Sequence, residues 1–220
     1  MAYTSVVLIW SSPEPSPRSA LSRARIVSAA VALADRGEPV TMKAVAAALG
    51  DYTPMALYRY VGSKDGLVDL MLDEVAGEVP VPAPSHDWRA DLHTAAMAMR
   101  GMITRHPWFP RLFHTRPPAG PRVMRQLEFK LTVLVGAGAS LVDAMTYAAM
   151  IDRHVLGSGL QEELEGGPVD PALFEEVRSL AVDLPLLSSW LSAPTGPSVA
   201  EQFELGLGFL LDGIAARITS

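Results

Sequence analysis

Residues 55 to 71 read MALYRYVGSKDGLVDLM, and the organisation of the chain can be worked outward from them. Pro54, just before, suits a first helical position, where its missing N–H is no loss, while Gly62 ends the segment and Ser63 caps the next helix. The spacing therefore predicts one short helix over 55–61 and another from Lys64 to about Gly77. In the short helix only Leu57 and Val61, four apart, are obvious core anchors. The rest are two tyrosines and an arginine among small or flexible residues, Met55 and Ala56. A helix that buries so little and carries such polar tips is wasteful unless something binds them.

Upstream, Ser22 caps a predicted helix through Ile26, Val27, Ala30 and Leu33, which stops near Gly37 and Pro39. Thr41 then opens a shorter one from Met42 to Leu49, ended by Gly50. Short helix, Gly-containing turn, short helix is the order of a helix-turn-helix, whose second helix enters the DNA major groove. An ordinary helical hairpin has the same periodicity, and it is the Tyr and Arg content of residues 55–61 that favours the first reading. Residues 1–21 hold Pro13, Pro15 and Pro17 among several serines and read as a flexible arm. Pro80, Pro82 and Pro84 mark residues 79–85 as a linker. Beyond it, apolar periodicity recurs near 87–105, 120–136, 139–157, 171–191 and 198–218, broken at Pro107, Pro117-Pro118, Gly136, Gly166-Gly167 and Pro194 to Pro197. No alternating strand pattern appears. The expectation is an all-α protein: a four-helix head over 22–78 and a five- or six-helix ligand-binding and dimerisation body over 86–220.

A chain that is 49% hydrophobic and 19% charged has ample apolar surface for a core, which excludes global disorder. It offers no stretch long and apolar enough to span a bilayer, and no basic residue precedes the apolar run Val6 to Trp10, so neither a membrane partner nor a secretory signal is expected. The expected location is cytoplasmic. Zero cysteines remove disulfides, thiolate metal sites and cysteine nucleophiles together. The net charge of -6 is unevenly spread: residues 1–65 carry seven basic against five acidic side chains, the remaining 155 carry 11 against 19. That asymmetry fits a small part that meets phosphate and a larger one that does not.

The run from Arg25 to Leu72, above all residues 55–71, resembles the DNA-binding domain of the tetracycline repressor (TetR) family. A looser resemblance to its tetracycline-repressor-like C-terminal domain lies in Asp87-Trp88-Arg89, in Arg105 to Trp108 and in Leu141 to Glu165. One departure is visible at Asp51-Tyr52, where the family's turn is a residue shorter. The resemblance implies a bacterial homodimeric transcription regulator, usually a repressor released from operator double-stranded DNA by a small-molecule inducer. It further implies that Tyr58, Tyr60 and Lys64 reach backbone phosphates, with Thr41 and Lys43 as the matching contacts on the other strand. The Lys64 assignment has independent support, because an ammonium beside the free N–H groups of a helix N-terminus makes an anion site. Thr53, Met55, Ala56 and Arg59 are the candidates for base edges; Arg59 can pair with guanine through two hydrogen bonds, and the methyl-bearing residues can touch thymine.

In the body, enzyme constellations are thin. The five histidines (His86, His93, His106, His114, His154) lack metal-ligand spacing, and Asp152-Arg153-His154 is consecutive, so its members point in different directions around a helix. No catalytic centre, metal or cofactor is expected. The segments 141–156 and 198–218 are apolar on more than one face, as helices covered on two sides must be. Leu141, Met145, Phe203, Leu207, Phe209, Leu210 and Ile214 are thus candidates for a four-helix homodimer interface, or for burial within one monomer. Flexible and bulky residues suited to a cavity wall are Met97, Met102, His106, Trp108, Phe109, Phe113, Met124, Phe129 and Met145. They point to a small apolar or aromatic ligand. The competing reading is a helical carrier or interaction protein whose head does not bind DNA.

Overall fold

The computed structural model describes residues 9–11, 21–50, 52–115, 119–165, 171–192 and 196–218. Asp51, Pro117-Pro118, Gly166-Gly167, Pro194 and most of the N-terminal arm lie outside the described residues. Among the described residues all regular structure is helical. The head contains α1 (Arg23–Asp35), α2 (Met42–Ala48), α3 (Pro54–Val61) and α4 (Lys64–Ala76). The body contains α5 (Trp88–Arg105), α6 (Phe109–Thr115), α7 (Pro121–Gly136), α8 (Leu141–Glu165), α9 (Pro171–Leu180), α10 (Pro185–Ser192) and α11 (Val199–Ile218).

The head helices start where their sequence says they should. Each has a hydroxyl N-cap in extended conformation: Ser22 accepts from the Arg25 N–H, Thr41 from Ala44, Thr53 from Ala56 and Ser63 from Gly66. Every such cap satisfies an amide that the helix itself cannot, worth about 1 kcal/mol. Gly62, at φ 71°, turns α3 into α4 in a conformation that L side chains avoid. Helices of seven and eight residues are not stable alone, so α2 and α3 depend on packing. Leu57 and Val61 supply it, fully buried with Ile26, Val45 and Met71 in the head core. The Arg23 side chain also donates to the Tyr60 carbonyl at 3.1 Å, tying α1 to the end of α3.

Part of the N-terminal arm departs from the flexible-arm expectation. Ile9–Ser11 forms one turn of 3-10 helix, with Ile9 buried in the head core and Trp10 packed against it. Ile9 and Trp10 supply the hydrophobic surface that docks this turn.

In the body, α8 packs against α5, α7 and α11. The body has seven helices among the described residues, more than the periodicity indicated. α6 is short and lies between prolines, and 171–191 divides at Leu184, whose following proline disfavours helical backbone before it. α11 begins with a reciprocal cap: Ser198 N–H donates to the Glu201 carboxylate at 2.7 Å, and Glu201 N–H to the Ser198 hydroxyl at 3.3 Å. The Ser198 donors hold the Glu201 carboxyl below the ordinary carboxylate range.

α4 belongs to both halves. Leu67, Leu70 and Met71 sit in the head core, whereas Leu72 and Val75 sit in the body core. Near its end, the buried Asp73 carboxylate accepts from the Arg122 and Val123 N–H groups at 2.8 and 3.2 Å, capping α7 across the fold. Glu74 pairs with Arg122, and the Gln126 amide donates to the Ala76 carbonyl. The close approach needs a glycine at 120, where a Cβ would lie 2.1 Å from Asp73 Oδ1.

Because Leu57 anchors a helix too short to persist unaided, Leu57→Ala should destabilise the head by about 2–5 kcal/mol. Urea unfolding followed by circular dichroism checks this; a change below about 0.5 kcal/mol would mean that α3 is held by other means.

Candidate functional site

Burial divides α3 cleanly. Leu57, Tyr60 and Val61 face the core, while Met55, Tyr58 and Arg59 face outward, Met55 being 73% exposed. An exposed methionine on so small a helix is an apolar contact held ready, since none of the described residues covers it. Thr53, at the N-cap, is also exposed, and Ala56 is half-buried beside it. Thr41 and Lys43 stand exposed at the start of α2, and Lys64 stands exposed at the start of α4. The exposed face of α3 is thus flanked by two helix starts, each with a lysine, while the acidic excess of the chain lies in the body. Tyr60 differs from the expectation that paired it with Tyr58: at 8% exposure its ring is packed in the head core, three positions from Leu57. Tyr52, just before α3, also packs against that core.

The body contains a cavity of about 470 Å³ between α5, α6, α7 and α8, with Ala76 of α4 in its wall. Phe109, Phe113, Met124 and Met145, four of the candidate wall residues, line it. The other expected wall residues are elsewhere. Met102 and Phe129 are buried in the body core, Met97 lines an open groove between α5 and α11, and His106 and Trp108 reach the head. Each lies on a helix that does border the cavity or the turn beside it, and periodicity does not say which apolar face turns inward.

Sequence reasoning missed the polar wall of the cavity. Lys130 of α7, almost wholly buried, donates to Asp152 of α8 at 2.6 Å, and both residues face the cavity with Gln126, His114 and Arg153. The signal was present: Lys130 falls between Leu127 and Leu134 on an apolar stripe, where a charge must find a partner. The result is an apolar chamber with a few placed polar groups, the usual composition of a small-molecule site.

The apolar faces of α8 and α11 also divide. Phe203, Leu207 and Ile214 are buried in this chain's own core, which removes them from any surface that a second copy touches. Leu141, Met145 and Phe209 remain exposed, Phe209 at 72%, and Leu210 is half-buried. Leu205 and Val142 are exposed on the same two helices.

The head meets the body through a cluster of charges. His106 is buried, with Nδ1 2.7 Å from Asp35 Oδ1 and Nε2 3.0 Å from Glu78 Oε1. The Trp108 indole N–H donates to the same Asp35 oxygen at 2.7 Å, and Arg105 donates to Glu78 at 2.7 Å. Desolvation works to raise the Glu78 pKa, but the hydrogen bonds from Arg105 and His106 outweigh it and hold this carboxyl below its ordinary value. Its favourable contribution is therefore intact above the ordinary glutamate range and is lost only as pH falls through the lowered value. Among the described residues no group of three or more metal-ligating side chains converges, and no helix is long and apolar enough to cross a membrane.

Residues 81–218 match the family model of the tetracycline repressor-like C-terminal domain. An HTH-type transcriptional regulator of Saccharopolyspora erythraea is 34% identical over 218 residues, covering 94% of this chain and 91% of its own. The HTH-type transcriptional repressor DrrR1 of Streptomyces coeruleorubidus is 32% identical over 229 residues, covering 96% and 84%. Among solved structures, apo ActR of Streptomyces coelicolor superposes with a TM-score of 0.80 at 27% identity, covering 92% of this chain and all of that one.

If the exposed face of α3 reads bases, Arg59→Ala should cost about 1–3 kcal/mol and relax preference at one position in each half-site. Lys64→Ala should weaken all sequences alike and lower the salt slope by about one. Competition binding against a panel of single-base operator variants distinguishes the two; uniform loss for Arg59→Ala would remove it from base reading.

Proposed function

The chain belongs to the TetR family of helix-turn-helix transcriptional regulators, and from that membership we propose that it works as a homodimeric repressor released from its operator by a small apolar or aromatic molecule. The observation that carries the reading is the division of α3: its apolar anchors are spent on the head core, and its outward residues Met55, Tyr58 and Arg59 are left for an external partner. Thr41, Lys43, Tyr58 and Lys64 position the head on phosphates, and Thr53, Met55, Ala56 and Arg59 face the base edges. Tyr60 supports α3 from beneath.

Geometry as well as kinship supports two copies. One eight-residue helix reads too few base pairs to be selective, and paired heads address successive major grooves roughly 34–36 Å apart. The exposed apolar residues Leu141, Val142, Met145, Leu205 and Phe209 lie on α8 and α11, the two helices that a four-helix interface would join. Met145 is shared between this face and the cavity wall, so an occupant of the chamber is felt at the proposed interface. The relative DrrR1 carries the name of a repressor, which supports repression for this chain too.

A ligand acts by preferring the dimer whose heads do not fit the grooves. The coupling needed is about 1–3 kcal/mol, and operator DNA must weaken the ligand by the same factor. Calorimetric titration of a bound aromatic ligand into free protein and into the operator complex is expected to give different affinities; equal values would show that this ligand is no inducer.

Generic-duplex binding at several salt concentrations tests the DNA assignment itself, with a steep fall in affinity expected as salt rises. For the dimer, Phe209→Glu places an unpaired charge in the interface and should yield monomers in sedimentation velocity. A wild-type protein that sediments as a monomer at micromolar concentration would overturn the interface.

A further inference from the structure

We infer that His106 is a positioning residue: as an imidazolium bridging Asp35 and Glu78 it clamps the DNA-binding head to the body, so that operator affinity falls as pH rises and the ring loses a proton. The inference rests on the repressor reading above, in which the ligand-free form is the DNA-binding form.

The chemistry of the bridge is set by its acceptors. A carboxylate has only lone pairs to offer, so a ring whose two nitrogens each meet a carboxylate oxygen must donate from both, and only the doubly protonated imidazolium can do that. Nδ1 points to Asp35 at 2.7 Å and Nε2 to Glu78 at 3.0 Å, with the ring buried between them. Charge-assisted hydrogen bonds in such a site are stronger than neutral ones. Loss of the proton leaves one nitrogen as an acceptor facing a carboxylate, and that side of the clamp becomes repulsive.

Asp35 gives a second, independent reason. It is the last residue of α1, the end of a helix where a negative charge is unfavourable. Its carboxylate is answered instead by two donors from the body, His106 and the Trp108 indole, 71 and 73 residues away. A local rule broken and compensated only at long range marks a residue kept for something other than its own helix. The neighbouring charges are otherwise engaged: Arg36 with Glu38, Glu74 with Arg122, and Arg105 with Glu78 itself.

The clamp also touches the cavity. The His106 carbonyl accepts from the Phe109 N–H at 2.9 Å, fixing the first turn of α6. The rings of His106, Trp108, Phe109 and Phe113 follow one another at 5.9, 6.3 and 5.3 Å, and the last two line the chamber. Trp108 packs against both the head and body cores. The head from Ser22 to Glu78 holds no histidine, the side chain whose ordinary charge change falls between about pH 5 and 8. The carboxyl of Glu78 stays ionised throughout that range, being held below its ordinary value by the Arg105 and His106 bonds against the opposing pull of desolvation.

The test is operator affinity by fluorescence anisotropy at about pH 6 and about pH 8, at constant ionic strength, for wild type, Asp35→Asn and His106→Gln. Wild type is expected to lose about fivefold or more on going to the higher pH. Both variants should change by less than about twofold, because His106→Gln removes the imidazole and Asp35→Asn removes the carboxylate that ties it to α1. Asp35→Asn retains an acceptor oxygen at a partly exposed position, so it keeps the test open if His106→Gln fails to fold. A flat wild-type profile, or variants that keep the wild-type slope, would overturn the clamp. If wild type binds no operator at either pH, it is the repressor reading that fails, and the clamp is then judged without DNA. Ring-selective nitrogen NMR should show both His106 nitrogens protonated at the lower pH, with α1 amide signals following the ring's titration in wild type but not in Asp35→Asn. Amides of α1 that ignore the titration would sink it.

Discussion

A helix that contributes to two hydrophobic cores cannot move in one without disturbing the other, and α4 is such a helix. Leu67, Leu70 and Met71 are sealed among the head helices, and Leu72 and Val75 close behind them are sealed in the body. Protein interiors are close-packed and resist continuous deformation, so a shift at one end of α4 is transmitted, not absorbed. The rest of the architecture reinforces this arrangement. Asp73 caps α7, Glu74 pairs with Arg122, and the Ala76 carbonyl takes the Gln126 amide, which fastens the last turn of α4 to the wall of the cavity.

The two ends of the molecule are built on opposite economies. In the head, short helices with hydroxyl caps place a few exposed side chains with accuracy, and little else is spent. In the body, longer helices border a chamber with a largely buried ion pair in its wall. Such a pair gains little net stability over an apolar replacement, since desolvation offsets most of its attraction. Its place beside an apolar space gives it a different value: it presents oriented charge to whatever enters.

How much of this was legible in the sequence depended on whether the signal was local. The caps Ser22, Thr41, Thr53 and Ser63, Pro54 at the start of α3 and Gly62 after it are each decided by the backbone of a few residues, and the head helices lie where those residues put them. The cavity wall was half legible. Phe109, Phe113, Met124 and Met145 reach it, whereas Met102 and Phe129 turn into the core. On a helix that is apolar on two faces, composition names the buried residues without saying which neighbour buries them, and for the same reason Phe203, Leu207 and Ile214 were indistinguishable from Phe209. Tyr60 and Ile9 illustrate the same gap from the other side, since a core recruits side chains by three-dimensional proximity. The pairs Lys130 with Asp152 and His106 with Asp35 and Glu78 join residues 22 to 71 positions apart, and no window of sequence contains them.

The contact between Gly120 and Asp73 has an evolutionary consequence. A side chain at 120 would begin inside the Asp73 carboxylate, 2.1 Å from its oxygen, and a carboxylate at 73 has its reason to be buried only while the α7 amides lie against it. Neither residue is constrained by its own helix; each is constrained by the other. Across descendants of this sequence the two positions should therefore drift as one character, persisting together for as long as α4 abuts the start of α7 and relaxing together once a lineage parts them.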